Sequence, residues 1–283
     1  MIYVLLALAA VLLLWLLALR TKRRKYGFYG LADYHYAHRG LHDAEQGIPE
    51  NSLTAFRRAV EYGYGAELDV HLSKDGKLVV MHDESLLRTA GVERNICDCT
   101  KEELAQYRLE GTDEPIPFLE QVLPIFAGKT PLVIELKAYE GNHASLARRV
   151  CQLLRHYPSL EFCIESFDPR VLMYLKKRHP EIVRGQLSCN FLKDRSGLHG
   201  ATAFVLTALL TNFLTVPHFI AYRYADRKRP GLWLCCHLWG AQEFGWTLQS
   251  TEEVEEASKN GVLAIFEHCM PPVSYTHLRA HET

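Results

Sequence analysis

From Tyr34 onward, short apolar runs with strand character alternate with helical patterns, and no other feature constrains the fold as tightly. Such alternation builds a parallel sheet or barrel, each helix carrying the chain back to begin the next strand. Strands are expected at Tyr34–Ala37, Ala66–Val70, Lys77–Met81, Pro131–Leu136, Phe162–Glu165, Val183–Leu187, His218–Tyr222, Phe244–Leu248 and Val262–Phe266. That is nine candidates for the eight places of a barrel, so one is a short accessory strand or a misread helix end; His218–Tyr222 is the weakest pattern. Helices are expected at Ser52–Tyr62, Thr100–Tyr107, Phe118–Phe126, His143–His156, Asp168–Arg178 and Thr251–Asn260. Asn51 or Ser52 can cap the first, Thr100 and Glu103 form a capping box on the second, Thr251 repeats that logic on the last, and Gly261 stops it. The Asp75-Gly76 turn leaves no room for a helix between Val70 and Lys77, so a parallel barrel must replace that crossover with extended chain. One α/β domain over residues 34–270 is the economical reading.

The N-terminal segment is of another kind. Ile2–Leu19 is an uninterrupted, uncharged apolar run of 18 residues. At about 1.5 Å per residue it nearly matches a hydrocarbon core of about 30 Å, so one transmembrane helix is expected. A cleavable signal peptide is not, because no charged region precedes the run and Leu19-Arg20-Thr21-Lys22 follows where small residues would be needed. The cations Arg20, Lys22, Arg23, Arg24 and Lys25 lie directly after it, and such clusters stay on the cytoplasmic side. Residues 1–25 therefore read as anchor and basic flank of a single-pass cell-membrane protein with its main domain in the cytoplasm. A second apolar stretch, Ala201 to Ala221, is interrupted by threonines, Asn212, Pro217 and His218, and is expected to be a buried helix followed by a strand.

Composition disfavours one partner class and a disulfide framework. A net charge of −1 and a pI near 6.9 give no broad basic surface, so nucleic acid is not an expected partner. Of eight cysteines, Cys97 and Cys99 flank one residue, Cys235 and Cys236 are adjacent and the others are scattered in apolar stretches, a pattern of reduced thiols.

Chemistry is expected where strands end in ionisable groups: His38-Arg39-Gly40, Glu67-Leu68-Asp69, His82-Asp83 and Glu135-Leu136-Lys137. In a parallel barrel the strands' C-terminal ends carry the site. Glu67 and Asp69 are two apart on a strand and so share a face, the interior, with Leu68 outward. Adjacent carboxylates in a core repel each other and desolvate badly unless a cation lies between them. Magnesium or calcium is the natural answer, with Glu135 supplying a third oxygen. Lys137 can take a phosphate oxygen from the same cavity, and Arg39 can hold phosphate in a bidentate contact. His38 and His82 offer one group to accept a proton and one to donate it near neutral pH.

These motifs, with Pro49-Glu50-Asn51-Ser52, Val79-Val80-Met81-His82-Asp83, Ile116-Pro117-x-Leu119-Glu120 and Trp246-Thr247, resemble the glycerophosphodiester phosphodiesterase family from about Tyr36 to Glu267. The resemblance implies a TIM-type (β/α)8 barrel and a divalent metal, Mg2+ or Ca2+, on Glu67, Asp69 and Glu135. It further implies acid/base histidines at His38 and His82, phosphate contacts from Arg39 and Lys137, and Glu50 and Trp246 lining the site. The implied reaction releases glycerol 3-phosphate and an alcohol from a small glycerophosphodiester, through attack of the glycerol 2-hydroxyl and a cyclic phosphate. Two other readings stand beside it: lysophospholipase D activity on lipids of the same membrane, and a catalytically silent binding module at the inner leaflet.

Three departures from the family pattern are visible. Glu165, before Ser166-Phe167, adds a charge without an assigned role; Phe266-Glu267 replaces the commoner Thr-Asp pair; and residues 273–283 look like translated sequencing-adapter read-through rather than native protein.

Overall fold

The computed structural model describes residues 1–23, 30–194 and 197–273. The expected tail from 274 and the cations Arg24 and Lys25 lie outside the described residues. Among the described residues nine strands form: β1 (Tyr36–Ala37), β2 (Gly65–Leu72), β3 (Leu78–Val80), β4 (Leu132–Leu136), β5 (Phe162–Ser166), β6 (Arg184–Ser188), β7 (Phe219–Arg223), β8 (Gln242–Leu248) and β9 (Leu263–Phe266). Eight are parallel neighbours in the order β1, β2, β4 to β9, and β1 pairs with both β2 and β9, so the sheet closes into a barrel. The ninth, β3, runs antiparallel to β2 across the Asp75-Gly76 turn. The surplus strand is thus β3, and the weakest expectation, His218–Tyr222, is a barrel strand. Helices α1 (Ile2–Ala18), α2 (Leu53–Glu61), α3 (Leu87–Ala90), α4 (Lys101–Leu104), α5 (Leu119–Phe126), α6 (His143–Leu154), α7 (Pro169–Arg178), α8 (Gly200–Thr207), α9 (Asn212–Thr215), α10 (Pro230–Trp233) and α11 (Thr251–Lys259) complete the described residues, with a π-helical turn at Leu234–Leu238.

Strand alternation divides the core in two. Outward residues such as Leu68, Val70, Ile134 and Ile164 pack under the helices against Phe56, Leu123 and Leu172. Inward residues Tyr36, Val133, Cys163, Leu187, Phe219, Phe244 and Ile265 fill the barrel's interior. Room for them depends on small partners, since a Cβ on Gly185 would lie 2.0 Å from the Phe219 ring and one on Gly65 would lie 2.7 Å from Tyr36. Toward the C-terminal end the same faces turn acidic, giving Glu67 and Asp69 on β2, Glu135 on β4 and Glu165 on β5, all buried. All eight cysteines are free thiols.

The helix ends follow local chemistry. Ser52 caps α2 by accepting from the Ala55 N–H at 3.0 Å, which frees Asn51 for another task. Thr100 and Glu103 form the expected capping box. The cap of α11 is Ser250, one residue before the expected Thr251, accepting from Glu253.

The N-terminal expectation requires correction. Helix α1 has 17 residues, about 25 Å at the usual rise, and no described helix is long and apolar enough to cross a membrane. The end of the apolar run belongs to the barrel instead. Leu19 is fully buried with Leu209, Ile220, Tyr222, Leu232, Cys235 and Ala241. Trp239 Nε1 donates to the Leu16 carbonyl at 3.0 Å, and Lys22 N donates to the Pro217 carbonyl at 2.8 Å. The expected buried helix from Ala201 is also corrected: α8 and α9 are two short helices, with Phe204, Phe213 and Leu214 exposed.

Candidate active site

The barrel's alternation brings the expected residues together. Glu67, Asp69 and Glu135 each offer a carboxylate oxygen, all within 4.8 Å of one another. Parallel register places Asp69 beside Glu135, and Glu135 beside Glu165. Lys137 reaches back from the end of β4, its ammonium 2.9 Å from Glu135 Oε2 and 3.1 Å from Asp69 Oδ1. Asn51, released from capping, donates to Asp69 Oδ2 at 2.9 Å.

Charge balance tests whether a cation belongs here. Four buried carboxylates face two fixed cations, Lys137 and Arg39. Burial works to raise the Asp69 carboxyl, yet Lys137, His82, Arg39 and Asn51 hold it well below the ordinary range. Glu67 has no such surplus: burial, then Asp69, Glu135 and Glu165, push it well above its usual value. Burial likewise lifts Glu135 to about 7 against the pull of Lys137, and pushes Glu165 well up with help from Glu135 and Asp69. Three convergent hard oxygens short of positive charge fit a divalent ion of the magnesium or calcium kind.

Each histidine is held by a carboxylate. His38 Nδ1 lies 2.7 Å from Glu267 Oε2, leaving Nε2 3.9 Å from Glu67. His82 Nδ1 lies 2.6 Å from Asp83, which in turn takes the Arg88 Nε at 2.5 Å. Burial lowers both imidazoles below their ordinary value, despite the opposing Glu267 and Asp69 charges. A neutral ring that donates from Nδ1 keeps a lone pair on Nε2, which is the form a proton acceptor needs. Glu267 and Asp83 are both held low, Asp83 at about 2; burial opposes this, but His38, His42 and Gln249 outweigh it at Glu267, and Arg88 and His82 at Asp83.

Arg39 sits in the left-handed region (φ 55°), and its N–H meets Glu67 Oε2 at 3.1 Å. Its guanidinium is held by both oxygens of Glu50 at 3.1 Å, and Glu50 also takes two bonds from Arg88 at 2.7 and 3.0 Å. Glu50 therefore orients arginines. His82, Asp83, Arg88, Glu135, Lys137, Ser166 and Phe167 line one cavity of ≈ 760 Å3, and Glu50 and Glu267 border a second of ≈ 580 Å3. Of the expected residues, His38, Arg39, Glu67, Asp69 and Trp246 line neither; Trp246 packs edge-on against Phe167 at 5.7 Å and so backs the cavity wall.

The sequence reading missed three groups in their roles: Glu267, Asn51 and His71. His71 is buried, at about 4 through desolvation and therefore neutral, and its Nε2 reaches the His82 carbonyl at 3.1 Å. Period-two counting along β2 from Glu67 and Asp69 points to His71, and counting along β9 points to Glu267.

With this geometry in hand, the comparisons are decisive. The sequence model of the Glycerophosphoryl diester phosphodiesterase family matches residues 38–269. The chain belongs to that family. It is 31% identical over 236 residues to a glycerophosphodiester phosphodiesterase of Caldanaerobacter subterraneus, covering 80% of this chain and 90% of the relative. It is 37% identical over 136 residues to the human protein named lysophospholipase D GDPD1, covering 44% and 41% of the two chains. Among solved structures, an Oleispira antarctica phosphodiesterase in complex with sn-glycerol-3-phosphate shares the fold, with a TM-score of 0.68 at 22% identity over 83% of this chain and 92% of that one. A glycerophosphodiester phosphodiesterase from Parabacteroides distasonis has a TM-score of 0.64 at 26% identity, with the same two coverages. As a member of the glycerophosphoryl diester phosphodiesterase family, the protein is a phosphoric diester hydrolase on a TIM-type barrel.

Proposed function

We propose that this enzyme hydrolyses small glycerophosphodiesters to glycerol 3-phosphate and an alcohol, using His38 and His82 as the proton-transfer pair. The supporting observation is the pairing of both imidazoles with carboxylates through Nδ1 beside the Glu67, Asp69 and Glu135 cluster. Lys137 and Arg39 bind and orient the phosphate. One imidazole, neutral, takes the proton of the glycerol 2-hydroxyl on Nε2 as it attacks phosphorus, and the other, entering the step as the imidazolium, gives its Nε2 proton to the departing alkoxide. The cyclic phosphate so formed is opened by water with the two roles exchanged. A magnesium or calcium ion on the three carboxylates would supply charge neutralisation at the phosphoryl oxygens. Glu50 keeps Arg39 extended, and Trp246 braces Phe167.

The test is glycerol 3-phosphate release by the full chain in detergent from glycerophosphocholine, glycerophosphoethanolamine and glycerophosphoglycerol, with magnesium, calcium or EDTA. Metal-dependent release that disappears in His38→Ala and Glu67→Ala is the expected result; a folded chain that turns over none of the three sinks the reading.

The cavity wall favours one second reading. Leu87, Leu136, Ala138, Tyr139 and Phe167 line it with apolar surface, which suits an acyl chain, and a relative carries the name lysophospholipase D. Lysophosphatidylcholine in vesicles, assayed for choline release, separates this reading from the first and from a silent module. Membrane attachment through α1 belongs to the same proposal. Its residues from Ile2 to Leu14 are apolar and exposed on every side, which costs too much in water to be left uncovered. We place the barrel on the cytoplasmic face of the cell membrane, whose anionic lipids suit the cations that follow α1.

A further inference from the structure

Helix α1 is not a tether on a slack linker. Beyond the burial of Leu19, the Cys235 thiol meets the Leu19 carbonyl at 3.4 Å and the Thr21 hydroxyl donates to the Cys235 carbonyl at 3.3 Å. The elements that grip this foot are short and carry large apolar side chains facing water. Phe213 and Leu214 on α9 are 52% and 39% exposed, Trp233 on α10 is 58% exposed and Leu238 on the π-helical turn is 48% exposed. Of their elements, α9 packs on α1, whose own residues from Ile2 to Leu14 are apolar and exposed.

The charge around this foot is mostly positive, and its acids Asp226 and Glu243 are each paired with an arginine, Arg223 and Arg227, at 2.6 Å. Arg20 and Lys22 are exposed beside the buried Leu19 and Thr21. Lys176 of α7 donates to the Leu214 carbonyl at 2.8 Å, and burial, Arg184 and Arg20 together lower its ammonium. From Gly197 to Ala241 the sequence holds one acidic residue, Asp226, and Arg223 pairs with it at 2.6 Å. Exposed tryptophan and phenylalanine on the same foot as Arg20, Lys22 and Lys176 match the boundary between acyl chains and anionic headgroups.

We propose that the foot of α1, with α9, α10 and the Leu234–Leu238 turn, is a single docking surface that seats the barrel in the headgroup layer of an anionic lipid bilayer. This rests on the attachment reading above and adds to it a fixed seat for the barrel. Cohesion at Leu19 transmits the helix's position to β7, because Ile220 and Tyr222 of that strand pack on it. The barrel's orientation to the lipid surface is then set by packing.

The full chain is mixed with vesicles of phosphatidylcholine and phosphatidylglycerol, floated, and its tryptophan emission measured with lipids brominated at shallow or deep acyl positions. Wild type is compared with Trp233→Phe and with the double substitution Phe213→Ser, Leu238→Ser, exposed positions away from the catalytic groups. The expected result is that all three float, that Trp233→Phe loses part of the shallow quenching, and that the double variant loses the same part while keeping its hydrolysis of glycerophosphocholine. If the chain floats and Trp233→Phe quenches as wild type does, the docking surface is refuted while attachment by α1 stands. Failure to float refutes both. Lipid-free dimers in which Trp233 is shielded from iodide would overturn the lipid assignment in favour of a second copy of this chain.

Discussion

Glu267 shows how one side chain sets the state of another. Its carboxylate holds His38 Nδ1 and raises that ring's proton affinity against the lowering effect of burial. Glu267→Gln is expected to lower kcat about 10- to 100-fold, the range for losing a carboxylate that orients a functional imidazole, with KM little changed. The limb of the kcat–pH profile that reports His38 should move to lower pH, because the neutral amide no longer stabilises the imidazolium; an unmoved limb would mean a purely structural role. The metal cluster gives a second prediction. Glu67 and Glu135 are raised above their unfolded values, so between about pH 4 and 7 the folded chain binds more protons at these two groups, and its stability from them falls as pH rises. A divalent ion must displace those protons. Calcium or magnesium is therefore expected to raise Tm more at about pH 8 than at about pH 5, with proton release in calorimetry. A pH-independent shift would place the ion elsewhere.

Strands β6 and β7 illustrate how elements depend on each other. The Phe219 ring occupies the space over Gly185 that a methyl group would need. Gly185→Ala is expected to cost about 1–3 kcal/mol in urea unfolding by overpacking the interior. It should leave catalysis measurable in the folded fraction, since Gly185 contributes no side chain to the site, although its register partner is the buried Glu165. A neutral result would show that Phe219 has a second rotamer available.

The whole molecule joins α1 to the barrel through Leu19. Removing that side chain opens a hole among Leu209, Ile220, Tyr222 and Leu232. Leu19→Ala should therefore destabilise the barrel itself by about 2–5 kcal/mol, as seen in thermal or urea unfolding of the full chain in detergent. An unfolding midpoint equal to wild type would make the contact incidental. For the same reason a chain beginning after the basic cluster is expected to be less stable than one beginning at Leu19.

Local chemistry in the sequence determined a great deal here. Period-two alternation put Glu67 and Asp69 on one face, the Asp75-Gly76 turn excluded a helix between β2 and β3, and Thr100 with Glu103 fixed a helix start. These are short-range consequences of backbone geometry, so residue order is enough to state them. The partners that decide function are distant in sequence: Glu267 meets His38 across 229 residues, and Trp239 meets Leu16 across 223. Asn51 looked like a cap and became a ligand of Asp69 because Ser52 took the cap. The apolar run Ile2–Leu19 read as a span by composition alone, but barrel closure presented β7 and the Leu234–Leu238 turn as a surface for its last residues. Only tertiary structure decides such matters, because the free energy of burying a side chain depends on which surface the rest of the fold brings to meet it.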